Sequence, residues 1–123
     1  MVGAPALDDA VARARALPGL RVGLHVVLVD GHAVSPPAEI PDLVGPDGAF
    51  VRTQVVAGFA YFFRPRVRRQ LAHEIRAQFE RFRATGLGLD HVNAHKHMHL
   101  HPTVGRLMLD IGRFTTTVNV AIR

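Results

Sequence analysis

The chain has 123 residues, 48% of them hydrophobic, no cysteine, and a formal net charge of +5. That length holds one domain at most, with enough apolar residues for a core. Disulfides and thiolate metal sites are excluded, no apolar run approaches the length of a membrane span, and any metal must be held by His, Asp, Glu or backbone oxygen.

Residues 7–17 are rich in Ala and Arg and predict a helix that stops at Pro18-Gly19, with Asp8 and Asp9 in the first turn, where acidic side chains suit the helix dipole. Residues 21–29, R-V-G-L-H-V-V-L-V, form a nearly continuous valine-rich run, which predicts a buried strand of the parallel-sheet type. His25 lies in its middle; a lone histidine on an apolar strand is more often a hydrogen-bonded core residue than a ligand. Residues 30–50 hold four of the eight prolines together with several Gly and Asp, so they predict an ordered loop or lid rather than a core element. Residues 53–63 predict a short helix. Residues 66–85 form the clearest helix: Val67, Leu71, Ile75, Phe79 and Phe82 make one apolar stripe, and Gly86 and Gly88 end it. A short strand over 89–94 follows. Pro102 opens a helix over 103–113, and 115–122 predicts a final strand. Strands alternating with helices predict a parallel α/β sheet, in which ligands gather beyond the C-terminal ends of the strands.

Such a position is occupied by D-H-V-N-A-H-K-H-M-H-L-H-P at 90–102, which holds five of the eight histidines: His91, His95, His97, His99 and His101. Imidazole is the commonest neutral-pH metal ligand and the usual proton carrier. In an extended strand His95, His97, His99 and His101 would share one face, with Met98 and Leu100 on the other. A solvated histidine run is the bland alternative. The placement between a strand and a helix argues against it, and His25 on a second strand can converge with the cluster on one ion.

Lys96 is the only lysine, so the positive charge is arginine charge. Its one dense group, Arg64, Arg66, Arg68 and Arg69, begins a helix, and no interleaving of aromatic and basic residues of an RNA-binding kind is present. No nucleic-acid partner is expected. Met1 leads directly into V-G-A-P-A without a basic start or a long apolar run, so no secretory signal is read and a cytoplasmic location is expected. The oligomeric state is left open, a homo-oligomer included.

The motifs G-L-H-V-V-L-V at 23–29 and D-H-V-N-A-H-K-H-M-H at 90–99 resemble the YdjC-like carbohydrate deacetylase family, most of all its hopanoid-biosynthesis-associated branch, HpnK. S-P-P-A-E-I-P-D-L-V at 35–44 and the helix around R-R-Q-L-A-H-E-I-R-A-Q-F strengthen the likeness, which runs from Val2 to about Arg113. The resemblance implies a distorted TIM-type β/α barrel. It also implies a divalent metal, usually magnesium with zinc as the alternative, held by an aspartate and two histidines that match His25 and His95. The implied reaction is hydrolysis of an N-acetyl group from an amino sugar, in the hopanoid branch an N-acetylglucosamine-bearing hopanoid. A metal can polarise the amide carbonyl, a carboxylate can take a proton from the attacking water, and an imidazolium can protonate the leaving amine. His97 and His99 are candidates for that last role or for binding sugar hydroxyls.

The chain also departs from the family. An initial strand ending in Asp-Asp-Phe-Gly supplies the family's metal-binding and catalytic aspartate, and the sequence begins beyond it; Asp8-Asp9 belongs to a helix and is no substitute. Residues 115–119 do not resemble the family's continuation, and a full barrel takes on the order of 250 residues. The expectation is therefore a partial deacetylase domain over 1–123, an internal fragment of an incomplete barrel. The competing reading is a truncated, non-catalytic metal-binding or interaction module.

Overall fold

A computed structural model describes residues 1–50, 63–115 and 121–122. Helix α1 spans Leu7–Arg15, strand β1 Val22–Val26, helix α2 Pro65–Ala84, strand β2 Leu89–Ala94, helix α3 Pro102–Thr115 and strand β3 Ala121–Ile122, with a 3-10 segment at His95–Leu100 between β2 and α3. The three strands form one sheet in the order β1-β2-β3, both pairs parallel. This is the α/β arrangement that the alternation of periods predicts. The expected helix over 53–63 lies outside the described residues except for Phe63; of the expected strand over 115–122, Thr115 instead ends helix α3, 116–120 lie outside the described residues, and Ala121 and Ile122 pair with His91 and Val92. Among the described residues no helix is long and apolar enough to cross a membrane.

Alternation divides the sheet into two unlike faces. Leu24, Val26, Val92 and Ala94 are buried in the core. Gly23, His25, His91 and Asn93 lie on the other face, half-buried, with Gly23 opposite His91 and His25 opposite Asn93. The register slips between Val22 and Gly23, which brings His91 over Gly23. A β-carbon on Gly23 would lie 2.4 Å from His91 Nε2, so only glycine lets the ring settle there.

The core is built as the apolar stripe requires. Val67, Leu71, Ile75, Phe79 and Phe82 are all buried, while Arg68, Arg69, Arg76 and Arg83 are exposed. Helix α2 packs on β1 and on α3, whose Val104, Met108 and Ile111 complete the apolar layer. Helix α1 has no buried residue; its Asp9–Arg13 ion pair is exposed, and Arg15 donates to the Thr85 carbonyl at the end of α2.

Two expectations are corrected here. The strand over 21–29 ends at Val26, although Val27, Leu28 and Val29 remain buried. The apolar run reports burial, not pairing: the side-chain amide of Gln78 takes the place of a neighbouring strand, accepting from Val27 N at 3.0 Å and donating to Val27 O at 2.8 Å. The loop over 30–50 is also more than a surface loop or lid, because Ile40, Leu43, Val44 and Phe50 belong to the core. Of three polar residues spaced four apart on α2, two hold the loop there and the third holds the end of the valine run. Gln70 Oε1 accepts from Asp42 N, Glu74 accepts from Val34 N and Ser35 N, and Gln78 reaches Val27. Glu74 and Gln78 are almost completely buried and bonded to each other at 2.7 Å. Each meets backbone groups that no ladder satisfies, as buried polar groups must.

Candidate functional site

Beyond Ala94 the chain leaves the sheet abruptly. Lys96 (φ 51°, ψ 34°) and His97 (φ 54°, ψ 27°) are consecutive non-glycine residues in the left-handed region. Each costs on the order of 1–2 kcal/mol there, a strain of the kind that collects at functional sites. This turn overturns the expectation that His95, His97, His99 and His101 share one face of an extended strand. Met98 and Leu100, expected together on the apolar side, are separated: Met98 is 3% exposed and Leu100 76%. The turn sends Met98 into the core against α3, and the His101 N–H donates to the Met98 carbonyl before Pro102 starts that helix.

The turn nevertheless delivers His95 to His25. The strands are parallel neighbours, with Val26 opposite Ala94, so both rings stand at the C-terminal ends of β1 and β2 on one side of the sheet. His25 Nε2 lies 3.4 Å from His95 Nδ1, and the rings meet edge to face with centroids 5.5 Å apart. His25 Nδ1 lies 2.6 Å from Asn93 Oδ1. Two nitrogens 3.4 Å apart and each about 2.1 Å from a common ion subtend about 110° at it, near the tetrahedral angle. The pair therefore fits a divalent ion as two of its ligands.

His97 and His99 form a second pair, with ring centroids 5.8 Å apart. His99 Nδ1 is buried without a hydrogen-bond partner. Among the described residues no group of three His, Asp or Glu side chains is placed to hold one ion. His91 is engaged elsewhere: its Nδ1 lies 3.0 Å from Asp90 Oδ2, and Arg21 stands 3.9 Å from the other oxygen of the same carboxylate.

Two features of the site were not read from the sequence. Asn93 sits on the histidine face two residues before His95, and the same period-two alternation could have singled it out. The ion pair between Lys96 Nζ and Asp30 Oδ2, at 2.7 Å, ties the turn after β2 to the loop beyond β1. No local signal announces it, since it joins residues 66 positions apart through two left-handed backbones, at Asp30 (φ 51°) and Lys96.

In a parallel α/β sheet ligands gather beyond the C-terminal ends of the strands, and that is where His25 and His95 meet. Residues 1–123 match the family model described as YdjC-like protein, and the chain belongs to that family. It is 39% identical over 115 residues to a carbohydrate deacetylase of Vibrio vulnificus (strain CMCP6), covering 92% of this chain and 42% of that protein. It is 36% identical over 111 residues to a carbohydrate deacetylase of Brevibacillus brevis, covering 90% of this chain and 42% of the relative. The chain thus spans about two-fifths of the length of the curated relatives it matches. Among solved structures it is similar to a protein of Enterococcus faecalis V583 described as a cellobiose-phosphate cleavage protein, with a TM-score of 0.79 and 23% identity over 100% of this chain and 45% of that one.

Proposed function

We propose that this chain carries part of the active site of a metal-dependent carbohydrate deacetylase, with His25 and His95 as two ligands of a divalent ion. The carrying observation is the 3.4 Å approach of their nitrogens at the ends of adjacent parallel strands. The deacetylase relatives supply the reaction class, and the parallel order β1-β2-β3 with helices between the strands is what one sector of a distorted β/α barrel would show. Nitrogen donors suit zinc, while magnesium favours oxygen and would draw the rest of its shell from carboxylate and water.

When bound, the ion would polarise the amide carbonyl and make water a better nucleophile. The chain's own part is to present two lone pairs on a rigid sheet edge and to keep a histidine-rich turn beside them. The His97–His99 pair stands in that turn, where it can hold sugar hydroxyls or deliver a proton to the leaving amine. The carboxylate that takes the water's proton is assigned to the family's Asp-Asp-Phe-Gly strand, which residues 1–123 do not contain. The substrate class is an N-acetylated amino sugar, and the likeness to the hopanoid branch names an N-acetylglucosamine-bearing hopanoid as the specific candidate.

The test is acetate release from N-acetylated chito-oligosaccharides, and from a glycolipid with a terminal N-acetylglucosamine. The chain would be assayed alone and joined to a strand bearing Asp-Asp-Phe-Gly, with and without chelator. Chelator-sensitive turnover that rises on joining the strand, and is abolished by His25→Ala or His95→Ala, is the expected result. A well-folded extended chain without turnover would assign the protein to the other reading, a non-catalytic metal-binding or interaction module.

A further inference from the structure

We infer that Asn93 is a positioning residue: its side-chain carbonyl fixes His25 in the Nδ1–H tautomer and so keeps the Nε2 lone pair turned toward His95. His25 and Asn93 are directly opposed on parallel strands and lie on the same face of the sheet. The His25 Nδ1 to Asn93 Oδ1 separation is 2.6 Å, short for a bond of this type. An amide oxygen accepts and cannot donate, whereas a neutral imidazole has one donor nitrogen and one acceptor nitrogen. The proton therefore belongs on Nδ1, and Nε2, the atom 3.4 Å from His95 Nδ1, is left with its lone pair. The opposite tautomer would set two lone pairs against each other at 2.6 Å and point an N–H into the gap between the rings.

The backbone makes this contact dependable. Both residues sit within the paired part of the sheet, and Leu24, Val26, Val92 and Ala94 on the reverse face are at most 4% exposed, so neither strand can rotate its histidine face away. Asn93 therefore orients the ring. The metal consequence rests on the reading of His25 and His95 as ligands; the tautomer does not. A hydrogen bond to the second nitrogen of a ligating histidine is a recurrent device for fixing ring orientation, and its removal typically costs 10–100-fold in metal affinity.

The experiment uses the 123-residue chain labelled with 15N-histidine, with no metal added. Long-range 15N–1H correlation spectra report which His25 nitrogen carries the proton, and His25→Gln assigns the signals. Zn2+ alone is then titrated by calorimetry. The wild type should show Nδ1–H at His25. Asn93→Leu, close in shape but without an acceptor, should lose that signature and bind Zn2+ about 10–100-fold more weakly. Asn93→Asp, which retains an acceptor, should keep the signature, and it carries the comparison if the leucine variant does not fold. An Nε2–H ring in the wild type, or an Asn93→Leu chain with unchanged tautomer, overturns the inference. A wild-type Nδ1–H ring that Asn93→Leu abolishes, in a chain that binds no Zn2+, upholds the positioning role and overturns the metal reading.

Discussion

Replacing Glu74 tests how the loop beyond β1 is held against the core. Its side chain is fully buried. Oε1 accepts from Val34 N at 2.9 Å and from Gln78 Nε2 at 2.7 Å, and Oε2 accepts from Ser35 N at 2.9 Å. Glu74→Ala removes all three bonds. Gln78 keeps its bond to the Val27 carbonyl, so the loss falls on the two backbone donors. A buried donor without a partner costs about 1–3 kcal/mol, which puts the alanine variant at about 2–6 kcal/mol, a large share of the 5–15 kcal/mol of an ordinary domain. Glu74→Gln keeps the shape and one accepting oxygen, leaving one donor facing an NH2 group, at about 1–3 kcal/mol. Urea unfolding followed by circular dichroism gives both values, and amide exchange at Val34 and Ser35 locates the damage. Equal losses for the two variants, or an alanine variant within about 0.5 kcal/mol of wild type, the range of a neutral surface substitution, with both amides still protected, would refute the reasoning.

Phe79 is 2% exposed in the middle of the α2 stripe, so Phe79→Ala should cost about 3–5 kcal/mol in the same unfolding assay; a loss under about 1 kcal/mol would contradict the packing. Gly105→Ala places a β-carbon 2.6 Å from the His99 carbonyl oxygen. It should destabilise by about 1–3 kcal/mol through overpacking despite alanine's better helix propensity, and it should shift the His97 and His99 ring resonances; a raised Tm would refute the close approach. Zn2+ affinity, measured by calorimetry, should be lost in His25→Ala and in His95→Ala. In the wild type it should fall as the medium is acidified, because a proton competes for the same lone pair; pH-independent binding would exclude imidazole ligation.

The sequence by itself determined the pieces whose physics is local. The 3.6-residue stripe from Val67 to Phe82 set the register of α2, the glycines after Thr85 set its end, and Pro102 set the start of α3. The strand over 89–94 was legible to its bounds, and the two histidine motifs were enough to name the family. Tertiary structure decided what depends on partners far along the chain. The valine run could not show that pairing stops at Val26, because the group that replaces the ladder is Gln78, 51 residues away. Gln70, Glu74 and Gln78 read as polar positions beside a stripe, and only the packed loop shows that they face buried backbone. The alternation of histidines suggested an extended strand because period two is all that a short run can display. The left-handed turn at Lys96 and His97 goes with Met98 entering the core and with the ion pair to Asp30, and both depend on residues packed far along the chain. The meeting of His25 with His95 required strand order and register, since one step of slip would place either ring on the opposite face of the sheet.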